Sequence, residues 1–211
     1  MACVGVLRKF TAGCCLLLLG AGTSAAQAPD SAAAAQRLVR ETIDRVVAAV
    51  SDQRAAISAD PGRARALVNT LVMPLVDQRR IGRLVLGRYW RRASPSQQAR
   101  FIMEFRTLVM HTYSTALTEL THRNVEYLSP RAAANHEVTI RTRIPQPGAS
   151  PITINYRLAY RERRWKVFDV TVDGVSLVSV YRNSFGTIIK RDGLDGLIEQ
   201  LVAKNRGSGS T

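Results

Sequence analysis

The spacing of apolar residues changes near residue 122, and this change constrains the fold more than any other feature. Before it, apolar residues recur every three or four positions, as along one side of an α-helix. After it, they alternate with polar residues, as in strands with one buried face. Helices followed by consecutive strands predict an α+β fold. The N-terminal helices must then pack on the apolar face of a curved antiparallel sheet, which predicts a cone-like interior.

Local signals place the helices along the chain. An apolar stripe predicts a helix over residues 31–50, and Asp60-Pro61 provides the N-cap and first position of a second helix. Pro74 breaks or kinks that helix, and a short helical segment covers 77–92. The capping box that begins at Ser94-Pro95 starts a long helix ending at about residue 121.

The second half of the chain predicts strands joined by turns, with turns over 145–151 and 161–164. Strands are expected around 125–127, 138–144, 152–160 and 165–172. In the last of these the alternation slips, because Trp165 and Val167 take one face while Phe168, Val170 and Val172 take the other. This slip predicts a bulge or a strand buried on both faces. Two short C-terminal helices follow, over 178–191 and 194–204.

The first 26 residues have the organisation of a signal peptide. A basic start at Arg8-Lys9 precedes an apolar run at 10–22, which is too short to span a bilayer. Small residues follow, and we expect cleavage after Ala26, because a cut after Ala28 would put Pro29 beside the scissile bond. The prediction is therefore a signal peptide over 1–26, one domain over 27–205 and a flexible tail over 206–211.

Cysteine placement excludes several classes of protein. Cys3, Cys14 and Cys15 all lie in the predicted signal peptide, and no other cysteine is present. A mature chain without cysteine has no cysteine-based zinc site, disulfide framework or iron–sulfur cluster. Absence of cysteine also suits an oxidising compartment. We expect an exported protein without a cofactor.

The chain is strongly basic, with a formal net charge of +14 that comes mainly from arginine. The densest groups are 79–83 and 88–92. The charge is compatible with a solvated face, or with a surface that approaches anionic phospholipid headgroups or acidic partner proteins. Nucleic acid is not expected as a partner, because the chain is exported and its aromatic residues form no known nucleic-acid motif with basic ones.

Few residues suggest catalysis. The sequence has no GxSxG, Walker A or GxGxxG motif, and His111, His122 and His136 lack metal-ligand spacing. Asp169 and Asp173 are two carboxylates near a strand end, a combination that can perform acid–base chemistry near a pocket. Structural roles in a turn, as an N-cap or as arginine partners are the other interpretation of this pair.

Two parts of the sequence resemble the MlaC family, also called the toluene-tolerance auxiliary family. The first consists of Val85–Trp90, Ser94–Gln97 and Phe101–Leu117. The second consists of Trp165–Val178, Tyr181–Phe185 and Asp192–Leu201. The resemblance implies a periplasmic phospholipid carrier with an NTF2-like fold, whose acyl chains lie in an apolar pocket between sheet and helices. It implies as partners an outer-membrane lipoprotein–porin complex and an inner-membrane ABC transporter with an MCE-domain subunit, and it implies no catalytic residues.

Apolar residues on the predicted inward faces are therefore candidates for the pocket wall. They are Val85, Leu86, Tyr89, Phe101, Phe105, Leu108, Val109, Ile140, Ile154, Tyr156, Leu158, Val170 and Val172. Arg88 and Arg91 are candidates for the pocket mouth, where a guanidinium can meet a lipid phosphate with two donors. Two alternatives remain open from the residues. One is an isomerase or dehydratase of the same fold class that uses Asp169 or Asp173, and the other is a basic adaptor with a solid core.

Overall fold

The computed structural model of the protein describes residues 31–120 and 124–207. The predicted signal peptide, residues 1–26, lies outside the described residues, as do His122 and residues 208–211. Within the described part, no helix is both long enough and apolar enough to cross a membrane.

Helices form the first half of the described chain, as the apolar spacing predicts. Their bounds are α1 Ala32–Asp52, α2 Arg54–Ala59, α3 Pro61–Leu71, α4 Gln78–Leu86 and α5 Pro95–Leu120. Short 3-10 helices at Met73–Leu75 and Gly87–Arg91 flank α4. The six-residue α2 was not predicted, because it is too short to show a helical period and buries none of its residues.

Helix caps confirm the local signals. The Asp60 side chain accepts a hydrogen bond from the Gly62 amide at 2.8 Å, so α3 begins where Asp60-Pro61 predicts. At α5, the Gln97 amide donates to Ser94 Oγ at 3.2 Å and the Ser94 amide donates to Gln97 Oε1 at 2.9 Å. These two bonds form the predicted capping box.

The second half forms one antiparallel sheet. Its strands are β1 Glu126–Ala133, β2 Glu137–Gln146, β3 Ala149–Arg161, β4 Arg164–Val172 and β5 Val175–Ser176. Neighbouring strands in the sheet follow the chain order β1-β2-β3-β4-β5, so the sheet is the predicted meander and the fold is α+β. Beside β4, the Asp77 amide donates to Val167 O at 2.8 Å, which protects part of an edge that would otherwise expose unpaired backbone groups.

A bulge in β4 explains the slip in its alternation. Arg157 pairs with Asp169 and Leu158 pairs with Val167, which leaves Phe168 without an opposite residue. The bulge is therefore confirmed, but the predicted split of the strand between two faces was wrong. Because the bulge absorbs one residue, Val170 and Val172 return to the same face as Val167. Of the apolar residues in this run, only Phe168 lies on the other face.

The chain ends in α6, Leu177–Gly207, which Gly193 divides into the two predicted helices. The backbone of Gly193 has φ 75° and ψ 177°, a conformation that glycine adopts more easily than any other residue. The second helix continues to Gly207, three residues beyond its predicted end at 204, and so includes Arg206 of the predicted tail.

Among the described residues, buried apolar side chains form two clusters. The helix cluster joins α4, α5 and α6, and its buried members include Leu86, Phe101 and Leu197. The sheet cluster packs α1 against β2, β3 and β4, with Ala35 and Val39 contacting the apolar face of the sheet. The molecule therefore has one core between helices and another between α1 and the sheet.

Candidate functional site

Strand pairing defines an inner face of the sheet that is almost entirely apolar. Val138, Ile140, Thr142 and Ile144 of β2 lie opposite Leu158, Tyr156, Ile154 and Ile152 of β3. The same face continues on β4 through Val167, Val170 and Val172. The predicted wall residues Ile140, Ile154, Tyr156, Leu158, Val170 and Val172 are thus brought together on one surface.

Burial differs between the two halves of the inner face. The four β2 residues are each at most 3% exposed, because α1 packs over β1 and β2. On the β3–β4 half, Ile152, Tyr156, Val170 and Val172 are only half-buried. Val175 continues this half along β5 and is 55% exposed. The inner face therefore retains apolar surface that a ligand can bury.

Two tyrosines add polar atoms to the inner face. Burial raises the pKa of the Tyr156 hydroxyl to about 12, while a hydrogen bond with the Thr142 side chain acts in the opposite direction. Tyr127 of β1 lies opposite Thr142, and its buried hydroxyl has no hydrogen-bond partner among the described residues. Burial, together with the nearby Asp44 carboxylate, raises the pKa of Tyr127. A few polar groups on an otherwise apolar wall are typical of lipid and small-molecule sites.

The remaining predicted wall residues belong to the helix cluster. Val85, Leu86, Phe101, Phe105 and Leu108 are buried there, and Tyr89 and Val109 pack against them. The Phe101 and Phe105 rings stack with centroids 5.6 Å apart, and Phe185 meets both edge-on. Such contacts are those of a filled core. The predicted wall therefore lies in two separate groups, one in each cluster.

Arg88 and Arg91 lie beside a small cavity on the helix cluster. The cavity has a volume of about 340 Å³ and is lined by Arg83, Gly87, Arg88, Trp90 and Arg91. Gly87 separates α4 from the following 3-10 helix, and its φ of 54° is one that side chains with a Cβ rarely adopt. None of the residues lining this cavity belongs to the inner face, so the two predicted mouth arginines are not grouped with the sheet residues.

The opposite, outer face of the sheet carries an ionic network. The Arg80 guanidinium of α4 pairs with Glu137, and Arg157 lies 3.6 Å from carboxylate oxygens of both Glu137 and Asp169. Both guanidiniums lie over the Phe168 ring, at 3.6 and 4.7 Å from its centroid. The bulge thus places the Phe168 ring beneath the Arg80 guanidinium of α4. This cation–π contact and the ion pairs together hold α4 against the sheet.

The two candidate carboxylates have structural partners and do not lie on the inner face. Asp169 is buried and accepts hydrogen bonds from the Ser176 hydroxyl at 2.8 Å and the Val178 amide at 3.3 Å. It therefore holds the start of α6. Asp173 is exposed in the β4–β5 turn and accepts a bond from the Thr153 amide at 2.8 Å. These are the structural roles that the sequence allowed.

The described histidines also lie apart. His111 is half-buried on α5, and its Nδ1 has no hydrogen-bond partner among the described residues. His136 is exposed in the turn between β1 and β2. The described residues contain no group of three or more histidine, cysteine or acidic side chains arranged to hold a metal.

Sequence reasoning missed several residues of the inner face. Thr142 and Ile144 belong to the same alternating run as Ile140, and Val167 precedes the bulge. Tyr127 showed the same period of two in the first strand. That period would have identified Tyr127, Thr142 and Ile144, but the candidates were restricted to fewer positions of each strand. Val167 could not be found in this way, because the bulge that follows it shifts the alternation. Arg83 was missed because α4 ends at Leu86, and only the turn at Gly87 brings Arg83, Arg88 and Arg91 to one cavity.

Known proteins share this sequence and fold. A phospholipid-binding protein from Ralstonia solanacearum, solved in complex with a phospholipid, matches with a TM-score of 0.75 and 30% identity, covering 83% of this chain and 98% of that one. The intermembrane phospholipid transport system binding protein MlaC of Haemophilus influenzae is 27% identical over 168 residues, 78% of each chain. The toluene tolerance protein ttg2D of Pseudomonas putida is 23% identical over 174 residues, 82% of this chain and 78% of that protein. The family model for MlaC protein matches residues 40–203, and the chain therefore belongs to the MlaC family.

Proposed function

We propose that the protein is a soluble carrier of phospholipid that holds the acyl chains against the inner face of its sheet. The observation that carries the proposal is the half-buried apolar surface formed by Tyr156, Val170 and Val172, beside the buried Ile154. Two relatives support it. One is a binding protein of a phospholipid transport system, and the other was solved with a phospholipid bound. These assignments favour a binding protein over an enzyme.

The physics of lipid transfer explains why such a surface suffices. Two acyl chains of about 15 methylenes each carry a cost of roughly 24 kcal/mol in water, which makes unassisted passage through an aqueous compartment negligible. A carrier needs only to match the apolar environment of a bilayer, because the lipid moves from one apolar phase to another. A much higher affinity would prevent release.

The candidate wall residues have different parts in this proposal. Ile140, Ile154, Tyr156, Leu158, Val170 and Val172 form the wall that the chains contact. The candidates in the helix cluster, from Val85 to Val109, pack α4, α5 and α6 together and are not part of this wall. Arg88 and Arg91 remain proposed ligands of a lipid phosphate, but at a cavity separate from the wall that holds the acyl chains.

The family resemblance supports a location and partners for this carrier. We place the protein in the periplasm after cleavage near Ala26. There it passes lipid between an outer-membrane lipoprotein–porin complex and an inner-membrane ABC transporter whose MCE-domain subunit receives the carrier. The exported N-terminus predicted from Arg8-Lys9 and the apolar run at 10–22 is the feature of this chain that supports the location.

Mass spectrometry of an organic extract tests the proposal directly. The protein should be purified from periplasm without detergent, and the extract should contain diacyl phospholipid in stoichiometric amount. A protein that is lipid-free, and stays so after incubation with phospholipid vesicles, would contradict the proposal and favour a solid core.

A pair of variants tests the wall. Val170→Glu places a charge on the inner face and should abolish lipid retention, since a carboxylate among acyl chains is strongly unfavourable. Thr139→Glu is the matched control, because Thr139 lies on the outer face opposite Arg131 and Arg157. The control should retain lipid like wild type. Equal retention by both variants would refute the assignment of the wall, provided that both have wild-type circular dichroism.

A further inference from the structure

We propose that the cavity lined by Arg83, Arg88 and Arg91 binds lipid phosphates at a bilayer surface and docks the protein on anionic membranes. This membrane-docking site is distinct from the inner face that we propose for the acyl chains. The proposal goes beyond lipid carriage, since it concerns the surface of the protein that meets a membrane.

Positive charge without an ion-pair partner is concentrated around this cavity. Arg79, Arg83, Arg88, Arg91 and Arg92 are all exposed within 14 residues of chain. Among the described residues, none of these five forms an ion pair with a carboxylate. By contrast, Arg80, Arg143 and Arg157, on or against the outer face of the sheet, each form at least one. Exposed arginines without an ion-pair partner produce a positive local potential, which attracts an anionic surface.

The surface that carries these arginines is concave. Three of these arginines surround a concavity of about 340 Å³, which lies within the range of small-ligand sites. The guanidinium fork matches two oxygens of a phosphate, and three forks around one concavity suit a phosphate better than they suit a flat acidic protein surface. The concavity itself is lined mainly by apolar atoms, so we place the phosphate at the exposed guanidinium groups around its rim.

The backbone around the cavity is held in place by contacts with the rest of the protein. Trp90, which lines the cavity, is 7% exposed, and its carbonyl accepts a hydrogen bond from the Gln98 side chain at 3.0 Å. The Arg88 guanidinium donates to the Tyr89 hydroxyl at 3.0 Å. The backbone that carries the arginines is thus held against α5 while their guanidinium groups face solvent. A preorganised cationic surface loses little entropy on binding.

Co-sedimentation with vesicles tests the proposal. The purified exported protein is mixed with vesicles of phosphatidylcholine, or of an equimolar mixture of phosphatidylcholine and phosphatidylglycerol. The wild-type protein should bind the anionic vesicles and not the neutral ones. The Arg83→Gln, Arg88→Gln, Arg91→Gln triple variant should bind the anionic vesicles about a hundredfold more weakly, from roughly a fivefold contribution per basic residue near such a surface.

A second triple variant controls for net charge. Arg161, Arg163 and Arg164 are exposed in the β3–β4 turn, and changing all three to glutamine removes the same charge. This control should weaken binding by no more than about threefold, because these three arginines do not line the cavity and contribute only to the overall charge. Equal weakening in both triple variants would overturn the proposal in favour of non-specific attraction, and wild-type binding by the first triple variant would also overturn it.

Other outcomes identify other ligands. Failure of the wild-type protein to bind anionic vesicles would overturn the proposal and favour an acidic protein partner. Binding of inorganic phosphate is measured by calorimetry. If the wild-type protein binds phosphate but not vesicles, and the first triple variant no longer binds phosphate, the proposal is overturned in favour of a site for free phosphate. The single variant Arg91→Gln is tested in the same way, and its unfolding temperature is measured. It shows whether binding to anionic vesicles weakens in a protein that is still folded. Lipid content is measured in each variant, so that failure of carriage and failure of docking are distinguished.

Discussion

Replacing Asp169 by alanine should destabilise the protein more than any other change of a single carboxylate in the β4–β5 region. Asp169 is 4% exposed and accepts hydrogen bonds from the Ser176 hydroxyl and the Val178 amide. It also lies 3.6 Å from Arg157. Alanine removes both acceptors at once and leaves the first turn of α6 without its anchor to the sheet.

The expected magnitude follows from these contacts. A hydrogen bond to a charged group contributes about 1.5–3 kcal/mol, and two are lost. The ion pair adds less than about 1 kcal/mol, because the Arg157 side chain is 47% exposed and screened by water. We expect Asp169→Ala to lower the free energy of unfolding by about 3–5 kcal/mol, and the unfolding temperature by roughly 6–20 °C for a chain of this size.

Asp173→Ala is the matched control. Asp173 is exposed and accepts one hydrogen bond, from the Thr153 amide, so its loss should lower the free energy of unfolding by about 1 kcal/mol. Urea unfolding followed by circular dichroism compares the two variants with wild type. A loss below about 1 kcal/mol in Asp169→Ala would refute the anchoring role derived from the structure.

The same position separates a structural carboxylate from a catalytic one. Asp169→Asn keeps an acceptor and the side-chain volume, so it should fold and retain as much phospholipid per folded molecule as wild type. Asp173→Asn should behave in the same way. Loss of lipid retention or transfer in a folded Asp169→Asn protein would contradict the structural role and revive the acid–base interpretation of the pair.

Other predictions concern local conformation and titration. Burial raises the Tyr156 pKa to about 12, from about 10 unfolded, so its protonated hydroxyl stabilises the fold fully below about pH 10 and this contribution disappears as the pH rises towards 12. Between about pH 10 and about pH 12, the free energy of unfolding of the wild-type protein should therefore fall by roughly 2–3 kcal/mol more than that of Tyr156→Phe, as measured by urea unfolding. Gly87→Ala should cost about 1–3 kcal/mol, because φ 54° and ψ −121° are strained for alanine, and an unchanged urea midpoint would contradict this. Ser94→Ala should cost about 0.5–2 kcal/mol in thermal unfolding, since it removes the α5 capping box; wild-type stability would show that the cap is dispensable.

Elements with a local signal were predictable from the sequence. The capping box at Ser94, the N-cap at Asp60 and the alternation in β2 each depend on residues within a few positions of one another. The bulge was predictable as an irregularity, because Phe168 breaks the alternation. Its effect on the faces was not, since this depends on pairing with Arg157 and Leu158 in the neighbouring strand.

The partners of each apolar face could not be derived in the same way. Periodicity shows that Phe105 and Ile140 are buried, but it does not show that one packs in the helix cluster and the other under α1. Contacts such as Arg80 with Glu137 join residues 57 positions apart and have no local signal. The candidate wall therefore combined residues of two clusters that the fold separates.

The distribution of directional contacts explains how one sheet can be both a scaffold and a binding wall. On the outer face, ion pairs and hydrogen bonds through Glu137 and Asp169 fix α4 and α6, and such contacts tolerate little movement. On the inner face, α1 contacts the strands through apolar residues such as Ala35 and Val39, whose contacts depend on area rather than direction. It also contacts them through a hydrogen bond from the Gln36 side chain to Leu128 O at 3.1 Å. In the proposed carrier, acyl chains that bind the half-buried β3–β4 part of this face exchange one apolar environment for another, so the free energy changes little. Acyl chains on this part of the inner face therefore leave the ion pairs and hydrogen bonds of the outer face undisturbed.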